Sequence, residues 1–174
     1  GYDQAAVVEE ILQALKNVKT GALGSLSGSN SRGLTLFGRP WELVRKIAEQ
    51  NGYTAFIDNG VAHVLKDNEY VSSPGLIEVI NADSGLLGTP RRQGARIDVD
   101  VIFEPTIEAF GQASAPRFIV GQQVQLDSRE SIYDGDFIVK GVTHDATISG
   151  AVGGHAITSL TFLAFDALSV AVSA

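Results

Sequence analysis

Arg96-Ile97-Asp98-Val99-Asp100-Val101-Ile102-Phe103 is the stretch on which the fold turns, because it alternates with a period of two. Successive side chains of an extended strand point to opposite faces, so Ile97, Val99, Val101 and Phe103 share one face while Arg96, Asp98 and Asp100 share the other. Outward from this strand, every convincing segment after Gly75 also reads as a strand: residues 76–80, 118–120, 124–126, 136–144 and 156–165. Gly85, Gly88, Pro90, Gly94, Gly121, Gly135, Gly150, Gly153 and Gly154 punctuate them. About six strands so spaced predict an antiparallel β-barrel or sandwich.

Before Asp67 the periodicity changes. Val8, Ile11, Leu12, Leu15 and Val18 recur at helical spacing, which predicts a helix over residues 3–18 with Asp3 as N-cap. Lys16 and Lys19 suit its C-terminal dipole, and Gly21 suits the left-handed residue that ends it. Residues 21–33 read as a loop and residues 34–37 as a strand. A second helix starts at Pro40 and carries Trp41, Val44, Ile47 and Ala48, with Asn51 and Gly52 ending it. Residues 53–57 and 61–65 flank Asp58-Asn59-Gly60, and Asn-Gly is the pair best suited to a type I′ hairpin turn. The expected first unit is therefore helix, strand, helix and hairpin, with two helices over one face of a three-stranded sheet. Its expected core joins Val8, Ile11, Leu12 and Leu15 to Val44, Ile47 and Phe56, and Leu15→Ala is expected to cost ~2–5 kcal/mol.

Residues 67–75 are rich in Asp, Asn, Ser, Pro and Gly and read as the boundary. The organisation expected is α+β: an α/β module over 1–70, a linker and first strand over 71–80, and a β-barrel-like domain with a C-terminal tail over 81–174. In that tail Leu168, Val170 and Val172 alternate. Pairing with a neighbouring subunit and a frayed or locally packed end are both open.

A chain of 174 residues with 44% hydrophobic and 19% charged residues is long enough for a real core and is not disordered. No apolar run approaches the ~18–20 residues that span a bilayer, and no signal-peptide pattern opens the chain, so it reads as soluble with no membrane partner. Cysteine is absent, which excludes disulfides and thiolate chemistry. Methionine is absent too, and the expectation is a piece of a longer protein. The net charge of −7 is uneven: 7 basic against 8 acidic residues up to Pro74, then 6 against 12. Gripping DNA through its phosphates needs the opposite sign, so direct nucleic-acid binding is not expected.

The sequence carries no recognisable catalytic, cofactor-binding or metal-ligating set. His63, His144 and His155 fall in separate predicted strands without zincin spacing, and single strand histidines are usually satisfied by one hydrogen bond. Ser25, Ser27, Ser29 and Ser31 lie in a Gly-rich stretch without the G-x-S-x-G elbow, and the same stretch, 24–33, lacks the Gly-Lys-Ser/Thr end of a phosphate loop. Asp98, Asp100 and Glu104, and Asp134 with Asp136, do not match a calcium loop. They read as a solvated strand face and a turn. Trp41 reads as a lid over the edge of the first core.

An ordered series carries a resemblance. Its first part is Gly33-Leu34-Thr35-Leu36-Phe37-Gly38, the helix opening Pro40-Trp41-Glu42-Leu43, and the hairpin from Tyr53 to Leu65. It continues with Asp83-Ser84-Gly85-Leu86-Leu87-Gly88-Thr89-Pro90, the strand from Arg96, Val120-Gly121-Gln122-Gln123-Val124-Gln125-Leu126, Asp134-Gly135-Asp136-Phe137-Ile138-Val139, and the strand from Ala156. Together these resemble bacteriophage baseplate hub (tail hub) proteins over roughly residues 33–165. The resemblance implies a structural virion protein, made in the bacterial host cytoplasm, with no enzyme activity and no cofactor. It implies a homotrimeric ring joining the tail tube to the spike or tip complex and letting DNA pass, and a further N-terminal domain before the first helix. The segment from Leu34 to Leu65 also resembles secretin periplasmic modules, which keeps a secretion-system module as the alternative. A tail-associated cell-wall hydrolase is the third reading. In a tail ring the Asp98–Asp100 face either borders the DNA passage, where like charge reduces adhesion, or forms a solvated outer surface.

Overall fold

A computed structural model of the chain describes residues 2–26, 28–30, 35–58, 60–72, 77–103, 117–147, 155–165 and 169–172. Ser27, Ser31, Gly33, Leu34, Asn59, Gly75, Leu76, Glu104, Gly150, Gly153, Gly154 and Leu168, on which parts of the expectations fall, lie outside these residues. The fold is α+β with a β-rich part, and the chain divides into two compact units, Gly1–Ser72 with Leu168–Ala174, and Ser73–Ala167.

The first unit contains β1 (Tyr2–Asp3), α1 (Gln4–Gln13), β2 (Lys19–Leu23), β3 (Ser29–Asn30), α2 (Pro40–Gln50), β4 (Thr54–Asp58), β5 (Val61–Leu65) and β6 (Glu69–Val71). Asp3 caps α1 as expected, its carboxylate accepting from the Ala5 amide at 3.2 Å. The helix stops earlier than the periodicity predicts. Asn17, not Gly21, takes the left-handed conformation, at φ 65°, and turns the chain into β2.

β2 is the main correction to this unit. Residues 19–23 were expected to close the helix and open a loop, yet they pair in parallel with β5, which is also antiparallel to β4. With β2 and β4 on its two sides, β5 has no free edge for the strand expected at 34–37, and Thr35, Leu36 and Phe37 are not in a strand. Gly21 serves the close approach of β2 to β5: a Cβ there would lie 2.5 Å from His63 Cε1 and 2.6 Å from Val61 Cγ1. Pro40 opens α2 and Asn51 caps it, its side-chain Nδ2 donating to the Ile47 carbonyl at 2.7 Å. The hairpin of β4 and β5 pairs Asp58 with Val61 across a two-residue turn in which Gly60 has φ 76°.

The sheet is covered on both faces. Val8, Leu12, Val44, Ile47 and Ala48 from the helices pack with Ala62 and Val64, with Leu15 and Trp41 partly buried against them. Phe56 does not join this core. Its register partner is His63, and the period of two sends it to the opposite face with Ala22, Leu65 and Val71.

The second unit holds β7 (Glu78–Ile80), β8 (Leu86–Gln93), β9 (Arg96–Ile102), β10 (Gln123–Leu126), β11 (Gly135–Ala146) and β12 (Ala156–Ala164). They form one curled sheet of six strands in the order β7-β10-β11-β12-β9-β8, in which β10 pairs with β7 in parallel and the other pairs are antiparallel. Its end strands β7 and β8 are not paired with each other. One face supplies the core, including Ile80, Ile97, Val99, Val101, Val124, Leu126, Phe137, Val139, Leu160 and Phe162. β8 was unforeseen because Gly88 and Pro90 read as punctuation. It is an end strand, and Pro90 falls in the register shift between Leu87 and Arg91, where no ladder amide is needed. Residues 118–120, expected as a strand, are not one; Phe118 fills the core from irregular chain.

The chain then returns to the first unit. β13 (Val170–Val172) pairs in parallel with β6, and Val172 packs against the core of Ala22, Leu65 and Val71. The tail, left open between a neighbouring subunit and a frayed or locally packed end, places its strand by its contacts in the first unit.

Candidate functional site

The alternation of β9 places Asp98 and Asp100 on the face opposite the core, as the sequence predicts. The structure adds their partners. Thr161, the register partner of Asp98, donates to its Oδ1 at 2.8 Å, and Ser159, the partner of Asp100, donates to its Oδ1 at 2.7 Å. Arg91 of β8 reaches Asp100 Oδ2 at 3.1 Å. The carboxylates thus form a cross-strand polar ladder over β8, β9 and β12, on the face that Arg91 and Arg96 also share. These hydrogen bonds fix the two carboxylates against their cross-strand partners. Among the described residues no group of His, Cys, Asp or Glu is placed to hold a metal ion.

The histidines have separate settings. His63, in β5 of the first unit, is buried, stacks on Phe56 with ring centres 5.2 Å apart, and accepts from the Ala22 amide at Nδ1 at 3.1 Å. In the second unit His144 Nδ1 lies 2.9 Å from Thr158 Oγ1, and His155 lies 3.3 Å from Asp145. Burial pushes the His63 pKa below its ordinary 6.5, and the Asp58 charge opposes this only in part. The unfolded chain therefore takes up the proton more readily than the folded one. The stability that His63 contributes is complete above 6.5 and is lost as pH falls from there towards the lowered folded value. The Trp41 fluorescence midpoint of denaturation is expected to fall between about pH 7.5 and about pH 5, and His63→Gln is expected to flatten that change. An equal slope in the variant would assign the dependence to other groups.

Two side chains that position whole segments escaped the sequence reading. Glu69 lay in a stretch whose composition favours solvent, yet it is 3% exposed. Its carboxylate accepts from the Ser25 amide at 3.1 Å and the Lys66 amide at 2.9 Å, tying the chain after β2 to the turn before β6. Gly24 has no room for a Cβ because the Glu69 carboxylate and the Tyr53 ring occupy that space. The flanking Tyr70-Val71 pair of strand formers was the available signal. Glu69→Gln keeps the shape but replaces one acceptor by a donor, and is expected to lower stability by ~1–3 kcal/mol. The same Trp41 midpoint checks this. Arg117 donates to Glu78 Oε1 from Nε at 2.8 Å and from Nη2 at 2.5 Å, and to the Ser84 carbonyl at 2.9 Å. It thereby fastens β7 to the turn that enters β8. Nothing local in the sequence marks that role, since its partners lie over 30 residues away.

That turn walls a cleft of about 440 Å³ with Asp83, Leu86, Pro90, Asp127, Arg129 and Glu130 among its lining. Both walls are internally tied: Asn81 and Ser84 exchange backbone-to-side-chain hydrogen bonds at 2.7 and 2.8 Å, and the Ser128 amide donates to Asp134 at 2.7 Å. In the first unit, Val7, Ile11, Leu36 and Leu43 line an apolar groove between the helices. No helix among the described residues is long and apolar enough to cross a membrane.

The chain matches no family model and no curated protein.

Proposed function

We propose that the chain is a non-enzymatic structural module of a bacteriophage tail, a baseplate-hub piece that assembles as a homotrimeric ring between the tail tube and the spike or tip complex. The observation that carries this reading is the ordered series of motifs, which resembles the hub series over roughly residues 33–165. The finer fold reading belongs to the same proposal: a hub-type helix, strand, helix and hairpin module, then a barrel of which the curled sheet is the main wall. The cross-strand hydrogen bonds of Asp98, Asp100, Ser159 and Thr161 suit a surface that holds its shape in an assembly. The partners are other copies and the tube, spike or tip proteins. The protein is made in the host cytoplasm and built into the virion, with DNA passing through the ring without being gripped.

A reconstruction of the tail carrying the parent protein tests this. The expected result is a closed ring at the junction of tube and tip. A single copy there, or none in the particle, refutes the reading. The same map decides whether Asp98 and Asp100 face the lumen or the outer wall.

A further inference from the structure

The strand that completes the first unit's second face is short and pairs with a single strand. β13 pairs with β6 over three residues, Val170 to Glu69, Ala171 to Tyr70 and Val172 to Val71. The Ser72 amide donates to the Val172 carbonyl at 2.9 Å, and the Val170 amide to the Asn68 carbonyl at 2.8 Å. Only Val172 packs against the buried cluster of Ala22, Leu65 and Val71, while Val170 is 46% exposed and Ala171 is exposed. A two-stranded ribbon of this length is marginal in isolation, and an element with few buried apolar contacts opens at low free energy compared with the core.

We infer that the edge of β6 is an acceptor for the C-terminal strand of a second copy of this chain, and that β13 exchanges between copies. When β13 lifts away, it uncovers a row of unpaired β6 amides and carbonyls and the apolar Val71 side chain. The best-matched occupant for that edge is the segment that already fits it, and every copy carries one. Exchange restores the same register, the same two flanking hydrogen bonds and the same Val172 contact, so no new complementarity is needed. The tail alternation of Leu168, Val170 and Val172 has the same dual use in the sequence. This inference does not rest on the ring reading: exchange within any homo-oligomer satisfies it, and a ring held by other surfaces lacks it.

The protein contains no cysteine, so introduced thiols report cleanly. Tyr70 and Ala171 are register partners on the side away from Val71 and Val172. Adjacent strands lie ~4.8 Å apart, within the ~4.4–6.8 Å Cα separation that a disulfide bridges. One preparation carries Tyr70→Cys and another, of distinguishable mass, carries Ala171→Cys; they are mixed and oxidised. The expected result is a disulfide-linked pair of unlike chains whose yield rises with protein concentration and exceeds that of Tyr70→Cys mixed with Asp145→Cys. If the Tyr70→Cys/Ala171→Cys double variant closes within one chain while the mixture yields no more linked pair than the Asp145→Cys control, exchange is overturned. Failure of both the double variant and the mixture to link also overturns it, because the register itself is then absent. A linked mixture from a particle without a ring leaves exchange standing and removes the ring reading.

Discussion

Replacing Phe162 by alanine is expected to destabilise the six-stranded unit by ~3–5 kcal/mol. Phe162 is fully buried in β12, near the middle of the sheet order, with Ile97 and Val139 as its register neighbours. Its ring stacks on Phe137 at 5.7 Å. The truncation removes a large apolar side chain and leaves a cavity between β9 and β11, which ladder hydrogen bonds keep from collapsing. Phe162→Leu keeps most of the volume and is expected to cost less than ~1.5 kcal/mol. Chemical denaturation followed by far-ultraviolet circular dichroism measures both variants. Equal midpoints for Phe162→Ala and the parent would show that the aromatic pair is not central to this core.

In the first unit Leu12→Ala is expected to cost ~2–5 kcal/mol, and Leu15→Ala about 1 kcal/mol. Helical periodicity ranks the two leucines alike, but the structure separates them. Leu12 is 1% exposed, within α1 and in the core with Val44 and Ile47. Leu15 lies past the end of the helix and is only half-buried. The protein has a single tryptophan, and Trp41 packs against this core, so its fluorescence reports the unit directly. A larger loss for Leu15→Ala than for Leu12→Ala would place the helix end further along the chain than Gln13.

The hub reading and strand exchange make separate demands on the molecule. A ring needs surfaces that keep their shape, such as the polar ladder of β9 and β12. Exchange needs an element that leaves easily, such as β13. The two features lie in different units of the chain, and each can fail without the other.

What the amino-acid sequence determined by itself was local. Period two in residues 97–101 chose the buried face of β9, the turn signal ending in Gly60 marked the hairpin of β4 and β5, and Asp3 and Pro40 marked the helix starts. Each signal acts within a few residues, through backbone sterics, a cap or the direction of side chains, and so remains legible without a partner. What only the tertiary structure decided depends on distant partners. β2 became a strand because β5 offers it an edge and Gly21 lets it approach. β8 tolerated Pro90 because it ends its sheet. Glu69 became buried because the Ser25 and Lys66 amides converge on it, and β13 joined the first unit because β6 was unpaired. Backbone hydrogen bonds and buried charge are satisfied by whatever the fold brings near, and composition carries no record of which distant segment that is.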